Sequence, residues 1–154
     1  MTLNEILIKQ NILTPLLLKE GDNELSKELK VKIVRLRIAF SAIRKTFDES
    51  LQEFVKELAP ERFKELQQKP EDQRTEEEKK EFEQLSTKVN TDYNEFIIQK
   101  GNEEVTFTAD DKFTDEEFDA LININAGNQV EINGNKIKAE ELMEIFYTLF
   151  VNKD

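Results

Sequence analysis

The stretch LKVKIVRLRIAFSAIRKTFDESLQEFVKEL, residues 29–58, decides the fold of this chain. Its apolar side chains recur at spacings of three and four, which places them on one face of an α-helix. These residues are Leu29, Ile33, Leu36, Phe40, Ile43, Phe47, Leu51, Phe54 and Leu58. An apolar face of this length needs a partner helix, so the pattern predicts an element of assembly or binding.

Three further apolar residues widen this face in the first half of the helix. They are Val31, Val34 and Ile38, and we expect them to be covered by a short N-terminal helix that runs from Thr2 to about Asn11. In the second half of the helix the apolar face narrows to a seam. The sequence therefore predicts that the first half is covered on two sides and the second half on one.

A second helix with a similar face follows after a turn region. Residues 75–78, Thr-Glu-Glu-Glu, match a capping box, in which the threonine and the last glutamate cap each other's backbone amides. The helix then carries Phe82, Leu85, Val89, Tyr93 and Phe96 at three-four spacing and should end at Lys100-Gly101. Two such helices joined by a turn most simply pack as an antiparallel hairpin.

The last third of the chain has a different character. A second capping box at residues 114–117 predicts a short helix, and Val130 to Ile137 around Asn133-Gly134 predicts a small β-hairpin. Residues 105–108 are a further strand candidate, and we expect β structure only within residues 103–138. The predicted fold is mainly α, with a long antiparallel helical hairpin over residues 1–100 and a small C-terminal α+β element over residues 101–154.

The apolar seam has two interpretations, which can coexist. It is either the core of the hairpin or an interface with another chain. The residues assigned to this interface are Leu36, Phe40, Ile43, Phe47, Leu51, Phe54 and Leu58. On either interpretation Phe40, Phe47 and Phe54 should be mostly buried.

Composition argues against several functional classes. The net charge of −11 opposes binding to nucleic acid or to anionic membranes, and no apolar run reaches the roughly 18 residues that span a bilayer. Residues 1–58 carry ten Lys and Arg against nine Asp and Glu, whereas residues 59–154 carry twelve against twenty-four. The excess of acid therefore lies in the second part of the chain.

The chain has neither cysteine nor histidine, and this removes thiolate nucleophiles and the commonest general base and metal ligands. The asparagine-rich segment does not fit a calcium loop, because a frame that starts at Asn123 puts Asn128 at the sixth position and Gly134 at the twelfth. Pairs of carboxylates are too common among 33 acids to be specific. We expect no enzyme, no catalytic or metal-binding residues and no cofactor.

A basic flank of the long helix is a possible polar contact. Lys30, Arg37 and Arg44 follow one another at intervals of seven residues, with Lys27 and Arg35 nearby. These side chains could contact phosphate, could pair with Glu78, Glu81 or Glu83 of the returning helix, or could be solvated.

The order of these elements resembles a family of small uncharacterised proteins encoded by tailed bacteriophages. The family pairs a helical hairpin with an acidic, β-containing tail, whose counterparts here are Glu116 to Leu121, Val130-Glu131-Ile132 and Ile137 to Leu142. The use of Asn, Lys, Glu and Ile is similar to that of phages of gut Bacteroidetes. The resemblance implies a virion or assembly component, for example of a neck or tail ring or packaged beside it.

We therefore expect a non-enzymatic structural or assembly protein that is made in the host cytoplasm and located in the virion. Its partners would be other phage structural proteins and further copies of itself, without nucleic acid or membrane. The alternative is an acidic intracellular adaptor that masks the nucleic-acid-binding surface of a partner protein. A hydrolase with a carboxylate-bound metal is a third, weaker class.

Overall fold

The structure is a computed structural model that describes residues 1–151, of which helices make up 69%. The predicted fold class, mainly α with a long helix pair and a small C-terminal α+β element, is confirmed. The α-helices are α1 (Leu3–Leu13), α2 (Lys27–Leu58), α3 (Glu61–Gln68), α4 (Glu76–Gly101), α5 (Asp115–Asn125) and α6 (Ala139–Phe146). The strands are β1 (Lys19–Glu20), β2 (Asn23–Glu24), β3 (Gln129–Ile132) and β4 (Asn135–Lys138). A 3₁₀ turn (Glu71–Gln73) precedes α4, and a π-helical turn (Tyr147–Val151) follows α6.

Local sequence signals set several element ends. Thr75 accepts a hydrogen bond from the backbone amide of Glu78 at 3.1 Å, and the Glu78 carboxylate accepts one from the amide of Thr75 at 2.9 Å. The capping box of α5 forms in the same way. In the turn between β3 and β4, Asn133 and Gly134 have φ angles of 50° and 79°, the left-handed region that Asn and Gly tolerate best. These three predictions are confirmed.

Two predictions about β structure are wrong. β1 and β2 form a small antiparallel pair around Gly21, whose φ is 55°, and this pair lies outside residues 103–138. Residues 105–108 are not a strand, because no neighbouring strand lies beside them. Instead the backbone amide of Val105 donates to the carbonyl of Met1 at 2.9 Å, and the ring of Phe107 stacks on that of Phe40.

The chain divides into two compact units, and the division differs from the expected one near residue 100. One unit joins Met1–Arg44 with the segment from Glu104 onward, and the other is Lys45–Glu103. We call them the core unit and the hairpin unit. α2 contributes its first half to the core unit and its second half to the hairpin unit. The physical reason is that the C-terminal element buries its apolar residues against α1 and α2.

The core unit has one continuous apolar core. Residues of α1, α2, α5, α6 and the segment before α5 contribute to it, and the most deeply buried are Ile6, Leu13, Ile33, Leu36, Phe40, Phe113, Leu121, Leu142, Phe146 and Phe150. The ring of Phe113 packs edge-on against Phe146 and Phe150, with centroids 5.0 and 5.6 Å apart. Such edge-to-face pairs are favourable geometries for aromatic rings.

Two buried polar residues tie distant segments of the core unit together. The Lys9 ammonium pairs with the Asp111 carboxylate and lies 5.3 Å from the centroid of the Phe150 ring. Asn125 is fully buried, and its amide accepts from the Leu17 amide at 2.7 Å and donates to the carbonyls of Leu17 and Leu121. Asn125 therefore links α5 to the loop after α1 by hydrogen bonds and does not serve as a cation ligand.

The hairpin unit contains the second half of α2 together with α3 and α4. The ring of Phe54 stacks on that of Phe96 near the end of α4, with centroids 4.1 Å apart. Phe63 of α3 stacks on Phe82 near the start of α4 at 5.4 Å. Phe54 precedes Phe63 in the chain but meets a later residue of α4 than Phe63 does, so α4 runs antiparallel to the segment that contains them.

Ion pairs beside this seam make the hairpin unit sensitive to acid. Hydrogen bonds from Lys69 and Arg62 lower the pKa values of Glu78 and Glu81, respectively, from their ordinary value of 4.5. A carboxylate with a lowered pKa in the folded state stabilises that state above its unfolded pKa, and the stabilisation is lost as the pH falls through the folded pKa. We expect the hydrogen-exchange protection of residues 45–103 to fall below pH 4.5, and to fall less in a Glu81→Gln variant. Equal acid sensitivity of the two proteins would contradict this assignment.

Candidate interaction surfaces

The predicted interface seam is split between the two units. Leu36 and Phe40 are fully buried in the core unit, and Ile43 packs against the same core. The assignment of Leu36 and Phe40 to an interface is therefore corrected, because both belong to the apolar core of the core unit, where the ring of Phe107 stacks on that of Phe40. Phe40 is buried as predicted. The other four seam residues, Phe47, Leu51, Phe54 and Leu58, lie in the hairpin unit and keep only a minor part of their surface exposed, so the prediction that Phe47 and Phe54 are mostly buried is confirmed.

The seam residues of the hairpin unit have few side chains packed over them. All residues of this unit are described, and only Leu66 among them is fully buried. No residue of α4 is fully buried, although the helix has 26 residues. Each apolar face in this unit packs against a single neighbouring helix. The side of the seam that faces away from this neighbour therefore stays accessible.

A shallow groove of about 460 Å³ lies along this seam, and we call it the hairpin groove. Its floor is formed by Phe54, Leu58 and Phe96. The acids that line it are Glu57 from α2 and Asp92 and Glu95 from α4, of which Asp92 pairs with Lys88 at 2.7 Å. Lys56 and Lys100 line an adjoining groove that shares Phe54, Glu57 and Phe96. An apolar floor with two acids that form no ion pair within residues 1–151 is suited to an apolar surface with basic residues at its edge.

A second apolar surface lies on the outside of α2 in the core unit. Val31, Val34 and Ile38, the outer stripe, are 39%, 42% and 65% exposed. Each lies two positions from a buried residue of α2, which at about 3.6 residues per turn places it on the opposite side of the helix. The expectation that the N-terminal helix covers these residues is wrong, because α1 packs into the core on the other side.

Basic side chains surround the outer stripe. A groove of about 580 Å³ between the stripe and β2 is lined by Lys27, Lys30 and Arg35, with Glu24 as its single acid. Lys30 pairs with Glu24. Within the described part of the chain, Lys27 and Arg35 have no ion-pair partner. Lys27 and Arg35, which the sequence places near the basic flank of the long helix, stand beside the outer stripe in the helical repeat.

The predicted polar contacts Lys30, Arg37 and Arg44 serve the local structure of the core unit. Arg37 donates to the carbonyls of Leu13 and Leu16 at 3.1 and 2.6 Å and thereby caps the end of α1, and its burial lowers the pKa of the guanidinium. Arg44 donates to the side chains of two residues of α1. Lys30 pairs with β2.

The expected partners of these bases on α4 have partners of their own. Glu78 pairs with Lys69 at 2.8 Å, and Glu81 pairs with Arg62 at 2.9 Å. Glu78 and Glu81 therefore have ion-pair partners within the hairpin unit itself.

Within residues 1–151 the structure shows no cluster of three acidic side chains that could hold a metal ion. In the same residues no helix is both long and apolar enough to cross a bilayer. No protein-family model, curated protein or solved structure matches this chain.

Proposed function

We propose that this protein is a non-enzymatic assembly subunit, which binds neighbouring subunits through the half-covered seam of its hairpin unit. The observation that carries the proposal is the contrast between the two units. The core unit has a well-packed interior, whereas the hairpin unit buries one residue fully and leaves Phe47, Leu51, Phe54 and Leu58 partly exposed along one seam. A contiguous row of partly exposed apolar side chains is a feature of protein–protein interfaces.

The biological setting that we propose is the virion of a tailed phage, in a neck or tail ring or beside one. The support for this setting is the resemblance of the acidic C-terminal element to phage proteins. The charge of the hairpin unit, ten Lys and Arg against sixteen Asp and Glu, fits a subunit that stays dissolved until it meets its neighbours. Copies of itself and other virion proteins would be its partners.

A change in the groove floor tests the proposal. In a Leu58→Gln variant, the loss of buried apolar area should weaken self-association by about 1–2 kcal/mol, roughly tenfold in the dissociation constant. Multi-angle light scattering over a concentration series measures the mass, which should reach several times 18.1 kDa for the unaltered protein. Val55→Gln is a matched control, because Val55 is 45% exposed on the same helix but does not line the hairpin groove. An unaltered protein that stays at 18.1 kDa throughout, and is absent from purified particles by mass spectrometry, would refute the proposal.

An acidic adaptor is the second candidate, and the surface of α5 favours it. Asp115, Glu116 and Asp119 are exposed on this helix, and a backbone hydrogen bond lowers the pKa of Glu116 and keeps it ionised. Exposed carboxylates in a row can imitate the charge of a phosphate backbone. An adaptor would be found in infected cells but not in particles, and nucleic acid would compete with it for its partner.

A further inference from the structure

The outer stripe of α2 is an apolar surface with a basic border on a strongly acidic chain. Val31, Val34 and Ile38 form its centre, and Lys27 and Arg35 stand beside it. The opposite face of the same helix is fully used by the core of the core unit. A helix that is apolar on two opposite faces normally has a neighbour on each face. Within the described chain, α2 has a neighbour on the core face and its outer stripe is exposed.

The border of the stripe indicates the charge of the neighbour that would cover it. Lys27 and Arg35 form no direct ion pair within residues 1–151, although Glu24, Glu28 and Asp110 line the grooves beside them. Two outer stripes packed against each other would bring these bases together, and this repulsion disfavours a symmetric contact of the stripe with itself. The neighbour should therefore be apolar in its centre and acidic at its edge.

The hairpin groove has these properties. Phe54, Leu58 and Phe96 supply an apolar floor, and Glu57 and Glu95 are exposed at its rim. Two hairpin grooves facing each other would in turn bring acid against acid. Charge thus disfavours both symmetric contacts and favours the mixed one.

We infer that the outer stripe of one copy docks into the hairpin groove of a second copy, in a head-to-tail contact. This inference rests on the proposed function and specifies its interface. Because a head-to-tail contact leaves one free stripe and one free groove at the ends of every chain of subunits, it continues until it closes into a ring or grows as a filament. A single type of subunit would then build the whole array.

Charge reversal tests the contact. A stripe-reversed variant, Lys27→Glu with Arg35→Glu, should raise the dissociation constant of self-association by about 100-fold, since like charges would then meet across the interface. A groove-reversed variant, Glu57→Lys with Glu95→Lys, should do the same. All four positions are exposed, so each variant should fold. Sedimentation velocity over a concentration series measures the masses.

The decisive experiment mixes the stripe-reversed variant with the groove-reversed variant. Equimolar mixing should restore assembly, because each acidic stripe then finds a basic groove and each basic stripe finds an acidic groove. One chain that carries all four substitutions should also assemble alone. Lys136→Glu with Lys138→Glu on β4 is the matched control, since it changes the net charge of −11 by the same amount as the stripe reversal but at a distant strand, and it should leave assembly unchanged.

The outcomes separate the inference from the proposed function. If the unaltered protein assembles and the stripe-reversed variant assembles equally well, the inference is wrong while the proposed function stands. If both reversed variants are monomers and the mixture stays monomeric, the two surfaces do not meet each other, and the inference is again wrong. If the unaltered protein never self-associates, the inference is wrong, and the proposed function fails as well when the protein is also absent from purified particles.

Discussion

Replacing Phe40 with Ala should lower the free energy of unfolding of the core unit by about 3–5 kcal/mol. Phe40 is fully buried, and its ring stacks on that of Phe107 with centroids 4.9 Å apart. The substitution removes this contact and leaves a cavity between α2 and the segment before α5. Urea unfolding, followed by the helical circular dichroism signal, would measure the loss as a lower midpoint.

Phe47→Ala provides the comparison for this prediction. Phe47 lies seven residues further along the same helix, but it remains partly exposed in the hairpin unit. Its replacement should therefore cost less, about 1–2 kcal/mol. Equal losses for the two substitutions would show that Phe40 is not packed as the structure has it.

The second large effect is expected at the buried ion pair of the core unit. An Asp111→Ala substitution should destabilise the protein by about 3–5 kcal/mol, because it leaves the Lys9 ammonium buried without its counter-charge. Both side chains are only 10% exposed, so water cannot replace the lost partner. The cation–π contact of Lys9 with Phe150 does not neutralise the charge.

A double variant separates the cost of an unpaired charge from the value of the pair. Lys9→Met combined with Asp111→Leu removes both charges and should recover most of the stability lost in Asp111→Ala, since apolar replacement of a whole buried pair is often neutral. Lys79→Ala is the surface control, because Lys79 pairs with Glu76 at 3.0 Å in an exposed position and its loss should change stability far less. A double variant as unstable as the single one would mean that packing, not charge, dominates at this site.

The two surfaces that we propose for assembly differ in how far the sequence reveals them. The seam of residues 43–58 is visible as a three-four pattern, and its partial exposure follows once a single return helix is available to cover it. The outer stripe is equally visible, but in the sequence it looks like a wider version of the same face. Only the structure shows that the outer stripe is separate from the core, because α2 packs into the core on its opposite side.

The helices, most of their ends and the β3–β4 turn can be predicted from local sequence alone. These features depend on interactions between residues a few positions apart, such as the capping pair of Thr75 and Glu78 or the positive φ angles of Asn133 and Gly134. The local spacing of residue types is therefore enough to predict these interactions. The absence of cysteine and histidine limited the chemistry in the same direct way.

The choice of the apolar face of α2 that forms the core, and the place where the chain divides into units, depend on tertiary packing. Lys9 meets Asp111 across 102 positions, and Asn125 binds the backbone of Leu17 across 108. Spacing along the chain carries no information about such pairs, because they arise from the way in which whole elements pack. The same packing buries Leu36 and Phe40 in the core unit and leaves Val31, Val34 and Ile38 exposed, because a helix buries the side on which its neighbours lie.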